Sequence, residues 1–169
     1  MTEWYEHWFG EEYLDLYPHR DDRDAEQLVD LLAARGVVRA GERVLDLACG
    51  AGRHAAALAR LAARAVGFDL SLTLLRAAQR RGTGALVRGD MRVLAFRDRT
   101  FDAVVNLFTS FGYFESVGED AAMLREVARV LRPGGHALFD LMNPEYVVSA
   151  LVPQSEERRG GLQIGRAHV

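Results

Sequence analysis

Apolar residues along this chain fall into two alternating rhythms, and the alternation predicts strands separated by helices. Short continuous apolar runs, of the kind a parallel strand buried on both faces requires, stand at 43–48, 65–69, 85–88, 101–107 and near 136–142. Stripes at helical spacing lie between them: over 53–63, from Ser71 as N-cap to Arg81 with Gly82 as the stop, and from about Glu119 to Leu131. Ahead of the first strand, Trp4, Tyr5, Trp8, Phe9, Tyr13 and Tyr17 recur at spacings of four with acids mostly between them. That predicts one amphipathic helix over the first seventeen residues, with an aromatic face. A second helix is expected from Asp21 or Asp22 to Gly36, burying Leu28, Leu31 and Leu32. The fold class is therefore α/β, a doubly wound, mostly parallel sheet with helices on both faces, carrying a helical cap (1–36) before a core (43–142).

Within that pattern the chemistry gathers at the end of the first strand, where Asp46-Leu47-Ala48-Cys49-Gly50-Ala51-Gly52 runs from apolar strand into glycine loop. The glycines let the backbone turn sharply and approach a ligand, and a helix beginning at Arg53 aims the loop amides at it. Gly50-Ala51-Gly52-Arg53-His54-Ala55 also fits the G-x-G-x-x-G/A pattern of dinucleotide sites. Two cofactor classes stay open on the loop alone. Asp46 separates them, because a carboxylate four residues before Gly50 repels a pyrophosphate and attracts a cationic ligand. The plainer role for Asp46 is to accept loop N–H bonds and fix the turn, which suits either ligand.

The pattern D-x-A-x-G-x-G resembles motif I of the class I S-adenosylmethionine-dependent methyltransferases, with Ala48 in place of the first glycine. Further matches follow in that family's order: Ala65 to Leu70 ending in Asp69, Leu86 to Met91 with its Asp90-Met91 exit, Phe101 to Asn106, and the turn Leu131-Arg132-Pro133-Gly134-Gly135. The resemblance implies a Rossmann-like fold, S-adenosylmethionine as cofactor and methyl transfer to a small-molecule O, N or C acceptor. It assigns Asp69 to the ribose hydroxyls, Asp90 and the Met91 backbone to the adenine edge, and Leu70 to the ring face. Asp46 and the Ala48 carbonyl would take the methionine ammonium beside Gly50 and Gly52, with Asn106 and Phe108 bordering the methyl group. Arg20 is the expected partner of the cofactor carboxylate. Phe111, Tyr113 and Phe114 are expected to wall the acceptor pocket, packing beneath the loop being the equal alternative for each. For the aromatic helix, packing against the sheet is expected ahead of closure over that pocket. The stretch after Phe101–Asn106 departs from the [D/N]-P-P-[Y/F] motif of enzymes that methylate DNA bases, so base flipping is disfavoured. The implied displacement needs no metal, and no catalytic base is assigned among His19, His54 and His136. The alternatives are an NAD-dependent oxidoreductase and a cofactor-binding protein inactive through truncation.

Composition narrows the partners. All 21 basic residues are arginine, yet 24 acids leave a net charge of −3, which argues against nucleic acid. No run of eighteen apolar residues occurs, and the first residues lack the layout of a secretory signal, so no membrane role and a cytoplasmic location are expected. Cys49, the single cysteine, reads as a packing residue. Oligomeric state is left open by the sequence. The final residues Ile164-Gly165-Arg166-Ala167-His168-Val169 match the translation ATC GGA AGA GCA CAC GTC, the start of a common sequencing-library adapter. Hence 1–162 is expected to be a single domain, 163–169 a non-native tail, and the family's last strands to be missing.

Overall fold

A computed structural model describes residues 3–16, 22–61, 63–150, 154–159 and 162–167. Five parallel strands form the main sheet: β1 (Arg43–Leu47), β2 (Arg64–Asp69), β3 (Ala85–Arg88), β4 (Phe101–Asn106) and β5 (Leu131–Phe139), in the order β3-β2-β1-β4-β5. The strand order reverses at β1, which pairs with β2 on one side and β4 on the other. That reversal opens a crevice above the carboxyl ends of β1, β2 and β4. Helices α3 (Asp22–Ala34) and α4 (Arg53–Arg60) cover one face through Val29, Leu32, Ala57 and Leu58 against Val44, Ala103 and Val105. The opposite face packs Leu45, Leu47, Phe68, Phe101 and Val104 under Met123, Val127 and Val130 of α6 (Val117–Val130). Helix α5 (Leu72–Arg80) packs against β2 and β3 and is N-capped by Ser71, whose hydroxyl accepts from the Leu74 amide.

Several boundaries differ from the pattern reading, each for a local reason. The aromatic segment is two short helices, α1 (Trp4–Trp8) and α2 (Glu11–Leu16), broken at Phe9-Gly10, where glycine is the weakest helix former bar proline. Helix α3 buries Ala25, Val29 and Leu32, while Leu31 is half exposed, because the stripe facing α4 runs at i, i+4, i+7 from Ala25. Helix α6 starts before Glu119, since Ser116 and Glu119 form a reciprocal capping box. Strand β5 takes in the Arg132-Pro133-Gly134-Gly135 turn, with a break in register between Phe101 and Ala103 where β4 meets it.

After β5, Asn143 caps a short helix α7 (Pro144–Ser149), and β6 (Gln154–Arg159) pairs antiparallel with β7 (Leu162–Ala167) as a separate two-stranded sheet. Residues expected to be a tail thus begin inside β7. No helix among the described residues is long and apolar enough to cross a membrane.

Candidate functional site

A cavity of about 250 Å³ sits at the carboxyl ends of the strands. Its floor is the loop after β1 (Ala48, Cys49, Gly50, Ala51) with Arg53 and His54 of α4, one side is Asp69 and Leu70 after β2, and another is Asp90 and Met91 after β3. Leu107, Phe108, Ser110, Tyr113 and Phe114 after β4 complete the wall, and Tyr5, Phe9, Tyr13 and Leu14 of the cap close it. The cap therefore covers the cavity, contrary to the favoured expectation that it only packs on the sheet.

Asp69 holds the floor in shape. Its Oδ2 accepts from the Gly50 amide at 2.8 Å and its Oδ1 from the Ser71 amide at 2.8 Å. Burial raises its carboxyl above the usual range, opposed by those amide bonds. The loop after β1 is left-handed at Ala48 (φ 59°), Gly50 (φ 54°) and Gly52 (φ 79°). Gly52 does not line the cavity; a Cβ there would lie 2.7 Å from Ala78 Cβ and 2.8 Å from Thr83 Cγ2, so its part is to let α5 pack closely.

Asp46 lies behind the loop, 1% exposed and off the cavity wall. Burial, reinforced by the Asp69 charge and opposed by the Ala55 amide and Arg53, pushes its carboxyl up to about 7. Its Oδ2 has no hydrogen-bond partner. Asp46 thus accepts from the Ala55 amide in the first turn of α4 and does not face the cavity. Cys49 is buried, and burial followed by the Asp46 and Asp69 charges raises its thiol, so it stays protonated. His54 is buried on the cavity wall, and burial together with Arg53 lowers it to about 4, keeping the imidazole neutral.

On the other side the structure redistributes the expected residues. Asn106 is fully buried and off the wall, its Nδ2 donating to the Leu47 carbonyl at 2.9 Å and tying β4 to β1. Phe111 also leaves the wall, packing edge-on to Phe139 with ring centres 5.5 Å apart; Tyr113 and Phe114 stay on it. Phe108 reaches the cavity because it and Thr109 are both left-handed (φ 63° and 57°), with the Arg53 guanidinium 5.5 Å from the Phe108 ring centre. His136 is exposed on β5 and does not line the cavity, and Arg20 and His19 lie outside the described residues.

Asp90 is held rather than free. The Arg92 amide donates to its Oδ1 at 2.8 Å, and the guanidinium donates to both oxygens through Nε and Nη2. Burial would raise the Asp90 carboxyl, but the Arg92 hydrogen bonds outweigh it and hold it below the usual range. Arg92 escaped the sequence reading, as did Leu14 and Arg53, since Arg92 and Leu14 belong to no motif and Arg53 fills an unspecified position of the glycine pattern. The aromatic spacing of four was the available signal for Tyr5, Phe9 and Tyr13.

The arrangement agrees with comparison to known proteins. The profile of a methyltransferase domain family matches residues 44–135. The chain is 41% identical over 122 residues to a demethylmenaquinone methyltransferase of Corynebacterium kroppenstedtii, covering 66% of this chain and 51% of that protein. It is 40% identical over 127 residues to a fatty-acid O-methyltransferase of Mycolicibacterium smegmatis, covering 71% and 44%. The chain thus spans about half the length of these curated relatives. The solved structure of CalS10, an amino pentose methyltransferase of Micromonospora echinaspora with S-adenosylmethionine bound, superimposes with a TM-score of 0.71 at 28% identity, covering 92% of this chain and 66% of that one. With the profile spanning more than half of the residues and the sheet order, glycine loop and acidic strand ends all in place, this chain belongs to the methyltransferase domain family.

Proposed function

We propose that this chain binds S-adenosylmethionine in the cavity and transfers its methyl group to a small, largely apolar acceptor in the cytoplasm. The observation that carries the reading is the pairing of an acidic rim, Asp69 and Asp90, with a wall of aromatic side chains across the same cavity. Carboxylates on this rim suit hydroxyl, amino and cationic groups and repel the pyrophosphate of a dinucleotide.

When bound, the cofactor supplies a methyl group on a positively charged sulfur, already activated for displacement. What the protein adds is orientation and dryness. Asp69, pinned by Gly50 and Ser71, keeps lone pairs for ribose hydroxyls. Leu70 packs beside the base, and Asp90 with Met91 meets its polar edge. The Ala48–Gly50 backbone is the fitting place for the amino-acid end, with Arg53 nearby for its carboxylate. Phe108, Tyr113 and Phe114 border the acceptor, and Tyr5, Phe9 and Tyr13 exclude water above it. His54, neutral at pH 7, can accept a hydrogen bond from an acceptor group, yet a base held near 4 removes few protons. Relatives named for a menaquinone precursor and a fatty acid agree with an apolar acceptor.

Calorimetric titration with S-adenosylhomocysteine and with NADH tests the reading. Binding of the first and not the second is expected; the reverse sinks it.

A further inference from the structure

Arg92 does not line the cavity, yet its guanidinium touches side chains from four segments around it. Nε and Nη2 grip Asp90 on the rim, Nη2 at 2.6 Å from Oδ2. Nη1 bonds Glu119, the capping-box acid of α6, and lies 4.0 Å from Oε1 of Glu3 at the start of the cap. Its carbon stands 4.8 Å from the centre of the Phe114 ring, which in turn meets Tyr5 edge-on at 6.0 Å. Three carboxylates therefore converge on a single cation. Without it, Glu3, Asp90 and Glu119 repel one another across a partly buried gap, where like charges are costly.

We propose that Arg92 is a positioning residue that clasps the N-terminal cap to the rim, fixing Asp90 and Phe114 in register and setting how fast ligand leaves the cavity. The clasp rests on the reading of the cavity as the cofactor site. A second tie of the cap to the rim is the Ser71 hydroxyl donating to the Phe9 carbonyl at 2.6 Å, and stacked rings of Phe9 and Tyr113 continue it. Loss of the cation thus loosens the cap's first helix while leaving the sheet untouched.

Both tryptophans of the chain, Trp4 and Trp8, lie in α1, and the Trp4 ring is 5.3 Å from Tyr113, so tryptophan emission reports the cap. The test measures acrylamide quenching with and without S-adenosylhomocysteine, and its release rate by stopped flow, in wild type, Arg92→Gln, Arg92→Lys and Glu3→Gln/Arg92→Gln. Arg92→Gln should release ligand roughly tenfold faster, the scale of one lost charge-assisted contact, and raise quenching in the free protein too. Arg92→Lys, which keeps the charge and loses the fork, should fall between, and adding Glu3→Gln should restore part of the effect by removing repulsion. Arg92→Lys decides the matter if Arg92→Gln fails to fold. Quenching and release equal to wild type in the folded variants overturn the clasp. Absence of any S-adenosylhomocysteine binding by wild type overturns the cofactor reading instead, and quenching of the free variants then decides the clasp alone.

Discussion

The Asp69 carboxylate accepts the Gly50 amide at 2.8 Å across nineteen residues, so the acid ending β2 sets the shape of the loop ending β1. The same carboxylate also caps Ser71, which leaves its remaining lone pairs for a ligand. Asp69→Ala should remove both bonds, cost about 1–3 kcal/mol of stability and weaken S-adenosylhomocysteine binding by roughly tenfold or more. Paired urea melts and calorimetry separate the two losses. Unchanged affinity in a folded Asp69→Ala variant would show that the loop and the ligand do not depend on this acid.

Ala48 and Gly52 share a left-handed backbone but differ in surroundings, which leads to opposite expectations for exchanging their residue types. Gly52→Ala drives a methyl group into Ala78 and Thr83, so overpacking and backbone strain should together cost about 2 kcal/mol or more. Ala48→Gly relieves a strained φ and adds freedom to the unfolded chain, so stability should change by less than about 1 kcal/mol. Equal melting points for Gly52→Ala and wild type would contradict the close packing of α5 on the loop.

Two buried groups should oppose each other in the pH dependence of stability. Asp46, raised from 3.8 to about 7, stabilises the folded state as pH falls through 7 and loses that contribution as pH rises. His54, lowered from 6.5 to about 4, acts the other way, because the unfolded chain takes up its proton first on acidification. Relative to wild type, Asp46→Asn should therefore lose ground between pH 7 and 4, and His54→Gln should gain ground between pH 6.5 and 4. Urea midpoints measured across that range check both, and differences independent of pH would refute the assigned protonation.

The strand ends were legible in sequence because each carries an acid or amide in an otherwise apolar run, as Asp46, Asp69 and Asn106 do. Their orientation was not. Asn106 sits one position from residues that reach the cavity, yet its amide turns to the Leu47 carbonyl on a neighbouring strand. Phe111 and Phe114 read alike in sequence, and only packing against Phe139 on one side and Tyr5 on the other separates them. Arg92 was invisible for the same reason, since its partners span residues 3 to 119.

Phe108 owes its position to Asp140, thirty-two residues away. The Asp140 Oδ2 accepts the Phe108 amide at 2.9 Å, its carbonyl accepts the Thr109 amide at 3.2 Å, and its own amide donates to the Asn106 carbonyl at 2.9 Å. Two successive left-handed residues with side chains cost about 1–3 kcal/mol each, so the turn persists only where such bonds hold it. Asp140→Ala removes the side-chain bond and leaves the backbone ones, while Asp140→Asn keeps an acceptor oxygen. Amide exchange at Phe108 should therefore quicken roughly fivefold in Asp140→Ala, the effect of about 1 kcal/mol, and stay near wild type in Asp140→Asn. Because Phe108 carries the Arg53 contact into the cavity, the Ala variant should also lose that contact, visible as a changed Arg53 side-chain resonance. Equal exchange in all three proteins would mean that the turn is set by its neighbours in sequence and not by Asp140.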